Sequence, residues 1–498
     1  MSPIRPMLGV MFIATAVLAA PRLASAATAS TTVNARATPT DAAASPAAAA
    51  ALRFADDNGA ITLPKGFQAV VVHEGVGPAR HMAVAADGTI YVALRASVRQ
   101  DGRTIPRNTS AEARAAMDFG GIAVVRDTNG DGVADTTTYA GREVFGTGIA
   151  LHDGHLWFGT DDSVVRYAID PETKLPISPP TVIVSGLVNR RQHAAKPITF
   201  DGQGGLYVTV GAPSNACQEQ DRAKDSPGMQ PCPLLETSAG IWRFDEATPG
   251  QTQADGERYA TGLRHCVAIA WNTMADDLYV VQHGRDQLNT LYPDTYSVED
   301  NAELPSEELH RVPAGFVGGW PYTYWNHLLG GRVVAPEYGG DGQAMDESGQ
   351  YAAPIQAFPG HWAPNGLAFY TGEQFPERYR RGTFIAWHGS WNRAPLRQGG
   401  YKVTFTPMGA DGMPTGDFEV FADGFAGRDP LMNTRDATYR PMGLAVGPDG
   451  SMYIASSKQG TIWRVVWTGE GAEVDEAPRD DRGSRLSPPK LSGGRSGS

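Results

Sequence analysis

The stretch HMAVAADGTIYVAL (His81–Leu94) decides the fold class of this chain. An apolar strand with alternating side chains runs into a tight Asp-Gly turn, and a second strand that carries an aromatic residue follows. Alternation with a period of two residues about a short Gly/Asp turn is typical of a β-hairpin. The same arrangement recurs in GTGIALHDGHLWFGT (Gly146–Thr160), PITFDGQGGLYVTVG (Pro197–Gly211), AIAWNTMADDLYVVQHG (Ala268–Gly284), GLAFYTGEQFPERYRRGTFIAWHGS (Gly366–Ser390) and GLAVGPDGSMYIAS (Gly443–Ser456).

Six copies of one hairpin indicate a propeller. The copies are spread over the body of the chain, with insertions of uneven length between them. Radial repetition of small antiparallel sheets is how a β-propeller protects its strand edges, so the copies predict an all-β fold, a six-bladed β-propeller. The alternative is a β-sandwich with repetitive turns, which the even distribution of the copies disfavours. The sequence has no P-loop and no G-x-G-x-x-G after a strand, which disfavours a nucleotide-binding α/β fold.

The composition excludes several classes of partner and scaffold. The chain has 498 residues and a formal net charge of −12, which argues against a nucleic-acid partner, because such binding depends on Lys and Arg that neutralise phosphate. Charged residues make up 19%, too few for a coiled coil, and 41% hydrophobic residues allow a large core. Three cysteines are too few for a disulfide-stapled scaffold or a structural zinc cluster.

The amino terminus has the pattern of a secretory signal peptide. Arg5 precedes the apolar run Met7–Ala20, and Ala24–Ala26 offers small residues for cleavage near Ala26. The alternative, an uncleaved anchor, is disfavoured because the run is shorter than the ~20 residues that span a bilayer. We therefore expect a periplasmic or secreted protein with no membrane span in the mature chain.

The two ends of the chain differ in composition from its middle. The segment after the signal peptide is rich in Ala, Thr and Ser, and the carboxyl-terminal segment is polar and lacks the apolar residues that a core needs. The predicted organisation is a signal peptide over residues 1–26, an Ala-rich linker over 27–52, the propeller over 53–468 and a disordered tail over 469–498.

Three polar residues stand just before or between the repeats, where the loops of a propeller meet at one mouth of its channel. His193 precedes the third repeat and has the side chain of a general base near neutral pH; a surface or packed histidine is the alternative. Arg264 and Arg440 precede the fourth and sixth repeats and could grip an anionic ligand together, or be two solvated charges.

Two acidic stretches could bind calcium, which prefers oxygen ligands. Glu303, Glu307 and Glu308 are concentrated before one predicted strand, where a solvated acidic turn is the alternative. The loop Asp127–Asp135 begins like a calcium loop, but its twelfth position is Thr138 instead of the bidentate Glu of an EF-hand. We interpret it as a turn between strands, with weak calcium binding as the alternative.

The cysteines and aromatic clusters leave further alternatives. Cys217 and Cys232 flank a polar loop and are expected to pair in an oxidising compartment, with two free thiols as the alternative; Cys266 lies in an apolar strand and is expected to be buried. The absence of C-x-x-C-H excludes covalent c-type haem. Aromatic residues cluster in 318–327 and 386–395, where a flat ligand could stack or the rings could simply pack.

Taken together, these motifs resemble a known family. The stretches VGAPSNACQEQD (Val210–Asp221), NAELPSEEL (Asn301–Leu309), HWAPNGLAFYTGEQFP (His361–Pro376) and HGSWNR (His388–Arg393) resemble the soluble periplasmic pyrroloquinoline quinone-dependent sugar dehydrogenases, in particular the sorbosone dehydrogenase-like branch. The resemblance extends over nearly all of the predicted propeller. It implies a six-bladed propeller with pyrroloquinoline quinone over the channel and a nearby Ca²⁺.

The resemblance also implies roles for particular residues. His193 would take the proton of a sugar hydroxyl while hydride passes to the quinone, and Arg264 and Arg440 would hold the oxygens of the cofactor. Further residues are implied around the cofactor and its calcium. They are His361, His388 and Arg393 facing the cofactor, the carbonyls of Gly284 and Arg285 on the calcium, and Glu307 and Glu308 on calcium nearby.

The chain departs from the glucose-oxidising members of that family at several positions. Nineteen residues after the base those members have an Asp that orients the imidazole, and here the position is Ala212. His265 and Val267 replace an Asn and a Gln, and FGTG (Phe145–Gly148) replaces a G-Q-G-G element. These departures favour a substrate other than glucose, and with Ala212 no known side chain orients the imidazole of His193.

Three hypotheses of function follow. The first is a quinoprotein that oxidises a sugar or a related aldehyde or alcohol and passes electrons to an external acceptor, a cytochrome or a quinone pool. The second is a calcium-dependent lactonase-type hydrolase, since six-bladed propellers host such enzymes too. The third is a propeller that binds a ligand without catalysis.

Overall fold

The computed structural model describes residues 51–106, 108–190 and 192–469. The predicted signal peptide, and almost all of the predicted linker and tail, lie outside the described residues.

Strands make up nearly all of the regular structure in the described residues. In chain order they are β1 (Phe67–His73), β2 (Ala79–Val84), β3 (Ile90–Arg99), β4 (Phe119–Arg126), β5 (Thr136–Ala140), β6 (Gly148–His152), β7 (His155–Gly159), β8 (Val164–Ala168), β9 (Thr181–Ser185), β10 (Ile198–Phe200), β11 (Gly205–Val210), β12 (Gly240–Asp245), β13 (Gln251–Thr252), β14 (Glu257–Thr261), β15 (Ala268–Asn272), β16 (Asp277–Gln282), β17 (Glu307–Val312), β18 (Phe316–Val317), β19 (Thr323–Asn326), β20 (Gly331–Val334), β21 (Gln356–Phe358), β22 (Pro364–Phe369), β23 (Thr383–Trp387), β24 (Lys402–Thr406), β25 (Glu419–Ala422), β26 (Pro441–Val446), β27 (Met452–Ser456) and β28 (Ile462–Trp467).

The helices of the described residues are short. They are α1 (Ala111–Ala115), α2 (Leu288–Leu291) and α3 (Val298–Glu303), with 3₁₀ turns at Pro233–Glu236, Gln253–Asp255, Pro336–Tyr338, Glu377–Tyr379 and Thr434–Asp436. In the part of the chain that the structure describes, no helix has the length and apolar character needed to cross a membrane.

The strands form six blades. The sheets are β2-β3-β4-β5, β6-β7-β8-β9 with β13, β10-β11-β12-β14 with β18, β15-β16-β17-β21, β22-β23-β24-β25 and β26-β27-β28-β1, and β19 and β20 form a separate hairpin. The six repeats read from the sequence are the two innermost strands of the six blades. Each innermost strand contacts those of its two neighbouring blades, which closes a ring. The predicted six-bladed β-propeller is therefore confirmed.

The ring closes through the amino-terminal strand. β1 is the outermost strand of the sixth blade and pairs antiparallel with β28, so that Phe67 lies opposite Trp467. The Phe67 ring meets the rings of Phe375 and Phe421 edge to face, with centroids 4.8 and 5.1 Å apart. Such aromatic contacts stabilise beyond the area they bury, so β1 is fixed both by its ladder and by the neighbouring blade.

The two ends of the channel are built differently. At the end that we call the hairpin end, each innermost strand turns back into its neighbour, through a short connection in every blade except the fifth, where residues 370–382 lie between β22 and β23. In the first blade the Asp87 carboxylate accepts the Thr89 N–H at 3.0 Å, and Gly88 takes a φ of +84° that a side chain would strain. At the other end, the loop end, the chain passes between blades through longer connections that carry the polar residues predicted from the sequence.

Candidate active site

A cavity of about 410 Å³ opens at the loop end of the channel. All six blades contribute to it, mostly with residues that lie just before an innermost strand or just after its partner strand. Its polar and charged lining comprises Arg80, Arg95, Thr147, His193, Arg264, His265, His283, Asp286, Glu307, His361, Asn365, His388, Ser390 and Arg440. The scattered polar residues predicted to meet at one mouth therefore do so.

His193 is held as a neutral imidazole with one nitrogen free. Its Nδ1 lies 2.6 Å from the carbonyl oxygen of Ala212, which can only accept, so Nδ1 carries the proton and Nε2 the lone pair. Burial, followed by the charge of Arg264, lowers the pKa of His193 to about 3. The residue has a φ of +52°, a strained conformation that tends to mark functional sites. The backbone of Ala212 thus supplies the orienting acceptor that its side chain lacks.

Two further imidazoles extend from His193 across the cavity. The His265 ring stacks on His193 with centroids 4.5 Å apart, and His283 follows at 4.9 Å from His265. Burial, together with the positive groups around it, holds the pKa of His265 well below its ordinary value, and its Nδ1 is buried with no hydrogen-bond partner among the described residues. The three rings, which we call the imidazole column, are therefore uncharged, and His265 contributes a buried nitrogen without a hydrogen-bond partner among the described residues.

Arg264 is fixed by the loop that follows β11. Its guanidinium donates to the backbone and side-chain oxygens of Asn215, both at 3.0 Å, and to the Asp286 carboxylate at 3.0 Å. The disulfide Cys217–Cys232, with Cα atoms 6.2 Å apart, closes this loop and confirms the predicted pairing. Cys266 is free and buried, also as predicted.

Asp286 is the carboxylate of this wall. Arg264 and Arg222 both donate to it, Arg222 at 2.9 Å. Although burial acts to raise the pKa of Asp286, the two guanidinium groups hold it below the usual range. The carboxylate is therefore ionised, and it balances charge on Arg264 within the protein.

The opposite wall carries positive charge with few partners. Arg440 donates to the backbone carbonyls of His388 and Gly389. Arg80 has a long contact of 3.5 Å to the sulfur of Met442, and its Nε is buried without a hydrogen-bond partner among the described residues. Burial, then repulsion from Arg95 and Arg440, lowers the pKa of Arg80 to about 10. Among the described residues the ion pair of this cluster is the one between Arg95 and Asp161, at 2.9 Å, and Arg80 and Arg440 form none.

The adjacent residues Glu307 and Glu308 have different partners and pKa values shifted in opposite directions. Glu307 lines the cavity and accepts the backbone N–H groups of Gly284 and Ala363, and burial raises its pKa to about 8. Glu308 points to the other face of β17, where Arg332 donates to it at 2.6 Å. Although burial acts against it, Arg332 lowers the pKa of Glu308. One carboxyl group is thus neutral at the cavity, and the other is ionised within the blade.

The groups predicted to bind calcium have other partners in this structure. The carbonyl of Gly284 accepts Arg264 Nη1 at 2.8 Å, and Glu308 pairs with Arg332; the prediction for Arg285 concerns its carbonyl, while its side chain pairs with Glu337 at 2.6 Å. Among the described residues no cluster of three or more His, Cys, Asp or Glu is arranged to hold a metal. In the loop Asp127–Asp135, Asp127 accepts backbone N–H groups of its own turn at 2.7 Å. Calcium therefore stays a prediction, and we derive no step through it.

The three residues expected to face the cofactor divide into two kinds. His361 and His388 line the cavity, and burial lowers the pKa of His361 to about 4. Arg393 does not line it: the guanidinium donates to Gly360 and Glu303 behind the cavity, at 3.0 and 2.9 Å. Arg393 thus joins the loop after β23 to the backbone just before β22. It contributes to the cavity by holding that backbone, without lining the cavity itself.

Sequence reasoning missed several residues of the cavity, among them Arg80, Arg95, His283 and Asp286. Arg80 had a signal, because it lies at the start of an innermost strand as Arg440 lies directly before one. Trp391 was only part of an aromatic cluster; it lines the cavity with 56% of its surface exposed, which shows a ring available for stacking instead of one packed in the core.

The cavity that the six blades enclose is lined mainly by arginine and histidine side chains, a lining that suits an anionic ligand. The TrAA12-like family matches the chain over residues 61–317 and 333–468, and the chain belongs to this family. The family relationship expected from the motifs is confirmed, whereas the sorbosone dehydrogenase-like branch stays a prediction.

Curated relatives match part of the chain. The pyrroloquinoline quinone-dependent pyranose dehydrogenase of Coprinopsis cinerea is 28% identical over 232 residues, which cover 41% of this chain and 30% of that protein. An uncharacterised protein of Borreliella burgdorferi is 26% identical over 212 residues, which cover 42% of this chain and 49% of the other. The chain thus matches less than half the length of each of these relatives.

Solved structures share the fold. A Trichoderma reesei enzyme of carbohydrate-active family AA12 superposes with a TM-score of 0.63 at 16% identity, covering 82% of this chain and 98% of that one. The holo form of the pyranose dehydrogenase PQQ domain from Coprinopsis cinerea gives 0.62 at 18% identity, covering 84% and 99%. At these identities the likeness establishes the propeller and leaves the chemistry to the residues.

Proposed function

We propose that this protein is a pyrroloquinoline quinone-dependent oxidoreductase that oxidises a sugar. The observation that carries the proposal is the single cavity shared by His193, Arg264 and Arg440, three residues from three blades. Family membership and the pyranose dehydrogenase relative support the same reading.

The cavity fits a flat cofactor with several carboxylates. Buried nitrogen atoms of Arg80, Arg95 and His265 have no hydrogen-bond partner among the described residues. Leaving such donors unsatisfied costs about 1–3 kcal/mol each, so an anionic ligand there would be strongly stabilised. Arg80 and Arg440 would hold the carboxylates of the quinone, and the imidazole column would lie along its face.

The chain supplies orientation and a proton acceptor. When bound, the quinone would accept the hydride of the carbon that is oxidised. His193 has its Nε2 lone pair free because Nδ1 donates to Ala212, so Nε2 can take the hydroxyl proton. A tricarboxylate beside His193 would raise the pKa of its imidazole, which would make His193 a stronger base with the cofactor bound.

Several finer points belong to this proposal. We infer that an aldose or a related aldehyde is the substrate, with the exposed ring of Trp391 at the mouth as a stacking surface for it. Electrons would pass to an external acceptor, a cytochrome or a quinone pool. The disulfide supports a periplasmic or secreted location for a propeller over residues 53–468. Calcium would bind beside the cofactor, as the family resemblance implies.

The calcium-dependent hydrolase is less well supported. Such an enzyme needs ionised carboxylates from several blades directed at the channel axis. The cavity is lined by two carboxyl groups, of which Asp286 is paired with two arginines and Glu307 has a raised pKa. The predominance of guanidinium groups on the walls favours an anion.

A direct assay separates the three hypotheses. Purified protein would be mixed with pyrroloquinoline quinone and calcium, and then with a panel of aldoses and an artificial electron acceptor. We expect dye reduction that requires both quinone and sugar. Lactone hydrolysis without quinone would contradict the proposal in favour of a hydrolase, and a failure to take up quinone would leave a propeller that binds another ligand.

A further inference from the structure

A second cleft of about 420 Å³ adjoins the cavity at the loop end. Arg80, His388 and Arg440 line both of them, so the second cleft lies directly beside the cavity. The remaining lining of the second cleft is Thr434, Arg435, Ser457 and Lys458. No Asp or Glu is among its lining residues, although the chain as a whole has a net charge of −12.

The charge at the outer end of this cleft is not neutralised. Arg435 is exposed on the 3₁₀ turn Thr434–Asp436, and no partner of its guanidinium is found among the described residues. The neighbouring Asp436 pairs instead with Arg428, at 3.6 Å. A guanidinium beside a concave surface and without a carboxylate is suited to bind one from a ligand, because its planar fork matches the two oxygens.

The frame around Arg435 is fixed. Lys458 Nζ donates to the backbone carbonyls of Arg435 and Ala437, which joins the turn after β27 to the 3₁₀ turn. Ser457 Oγ lies 2.7 Å from His388 Nε2, and burial next to Arg440 and Arg80 keeps the pKa of His388 well below its ordinary value. The cleft thus presents the guanidinium of Arg435, the ammonium of Lys458 and the hydroxyl of Ser457.

We propose that this cleft is a carboxylate subsite that selects an acidic sugar, a uronate, with its carboxylate at Arg435. The inference rests on the proposed function only in taking the ligand to be a sugar. A neutral sugar leaves Arg435 without a partner, whereas a uronate brings a carboxylate to its guanidinium. The quinone has carboxylates of its own, and the experiment separates the two sources.

The first arm of the test is kinetic. In the quinone-loaded protein, kcat/KM for D-glucuronate is expected to exceed that for D-glucose. The substitution Arg435→Gln is expected to lower the ratio of the two values about tenfold, as for loss of one charge-assisted hydrogen bond. Arg381→Gln is the matched control, because Arg381 is exposed in the connection between β22 and β23 at the hairpin end, and it should leave the ratio unchanged.

The second arm needs no activity. Calorimetric titration of quinone-free protein with D-glucuronate is expected to give a Kd that rises about tenfold in Arg435→Gln. If no sugar is oxidised but this binding depends on Arg435, the subsite stands and the proposed function fails. If sugars are oxidised but glucuronate and glucose behave alike, the subsite is wrong and the function stands. A loss of quinone affinity in Arg435→Gln, with unchanged glucuronate binding, would assign the cleft to the cofactor and overturn the inference.

Discussion

At the hairpin end the turns are closed by hydrogen bonds between neighbours in sequence, whereas at the loop end hydrogen bonds join residues of different blades. Asp201 accepts the N–H groups of Gln203 and Gly205 at 2.7 and 2.8 Å, all within one turn. Arg264 reaches Asn215 across 49 residues, and Arg440 reaches His388 across 52. The hairpin end therefore determines, through local contacts, which strands pair within a blade. The residues of the loop end are not needed for that pairing, so they can form a binding site.

The two ends also differ in how they hold charge. The Asp201 carboxylate at the hairpin end accepts hydrogen bonds from its own turn and from Tyr207, while at the loop end buried arginine and histidine nitrogens lack partners among the described residues. Unsatisfied buried donors destabilise a fold unless a ligand meets them. We expect variants at the hairpin end to change stability, and variants at the loop end to change binding and catalysis.

The largest effect that we expect is on acid stability. Burial lowers the pKa of His81, His193 and His361 to about 4, 3 and 4, so these histidines are neutral in the folded state but protonate near pH 6.5 when unfolded. The unfolded state then binds more protons, and stability is lost as the pH falls from about 6.5 towards 4. Each shift of two pKa units corresponds to about 2.7 kcal/mol, so the loss should reach several kcal/mol.

Two other groups, Glu307 and Asp201, titrate differently and do not reverse this loss of stability. Glu307 acts in the opposite sense, because its pKa of about 8 lets the folded state hold an extra proton above pH 4.5, but it is one group against several. Asp201 has a lowered pKa, since the donors of its turn outweigh burial, and loses its contribution only below about pH 3.8. Hydrogen exchange at pH 7 and pH 5 should show opening at the loop end first. Equal protection of the loop end at pH 7 and pH 5 would contradict the difference between the two ends.

The second prediction concerns the base. His193→Asn keeps a residue that tolerates the positive φ but removes the proton acceptor, so kcat should fall about 10³-fold with an unchanged melting temperature. The matched control is His155→Asn at the hairpin end, which should retain kcat. Steady-state kinetics on quinone-loaded protein checks both. A variant of His193 with near-normal kcat would remove the residue from the chemistry.

The third prediction concerns the arginine wall. Arg440→Gln should weaken the binding of pyrroloquinoline quinone about 100-fold, because it removes a charged partner from a desolvated wall. Arg381→Gln, an exposed arginine at the hairpin end, should leave the affinity unchanged. Fluorescence titration of the quinone measures both dissociation constants. Equal loss in the two variants would indicate a general effect of net charge in place of a defined site.

The smallest effect belongs to the hairpin end. Asp201→Ala removes the acceptor of two backbone N–H groups and should lower the free energy of unfolding by about 2 kcal/mol, with kcat per folded molecule unchanged. Denaturant unfolding and an activity assay on the same preparation check the two parts. If kcat falls while the free energy of unfolding is unchanged, the separation between the two ends does not hold.

The hairpin end could be predicted from the sequence because its signals are local. Turn residues such as Asp87 and Gly88 stand between alternating strands, and each copy reveals one blade. The closure by β1 could not be predicted, since Phe67 and Trp467 meet across the whole length of the domain. No local pattern specifies which terminal strand completes the last blade.

The site could be predicted only where the repeat fixes a position. Arg264 and Arg440 precede innermost strands, and position alone directs them to the channel. The carbonyl of Arg285 and the carboxylate of Glu308 were expected on calcium, which stays a prediction, and the sequence did not show that the side chains of Arg285 and Glu308 pair with Glu337 and Arg332. Both partners belong to the insertion between β17 and β21, whose path across the propeller depends on packing that the repeat does not encode.

The central claim is that the loop end gathers distant residues around one quinone. A crystal structure of the protein with pyrroloquinoline quinone tests it most directly. We predict the tricyclic ring in the cavity beside His193, with carboxylates within hydrogen-bonding distance of Arg80 and Arg440. Quinone bound elsewhere, with both guanidinium groups left as they are here, would contradict the account.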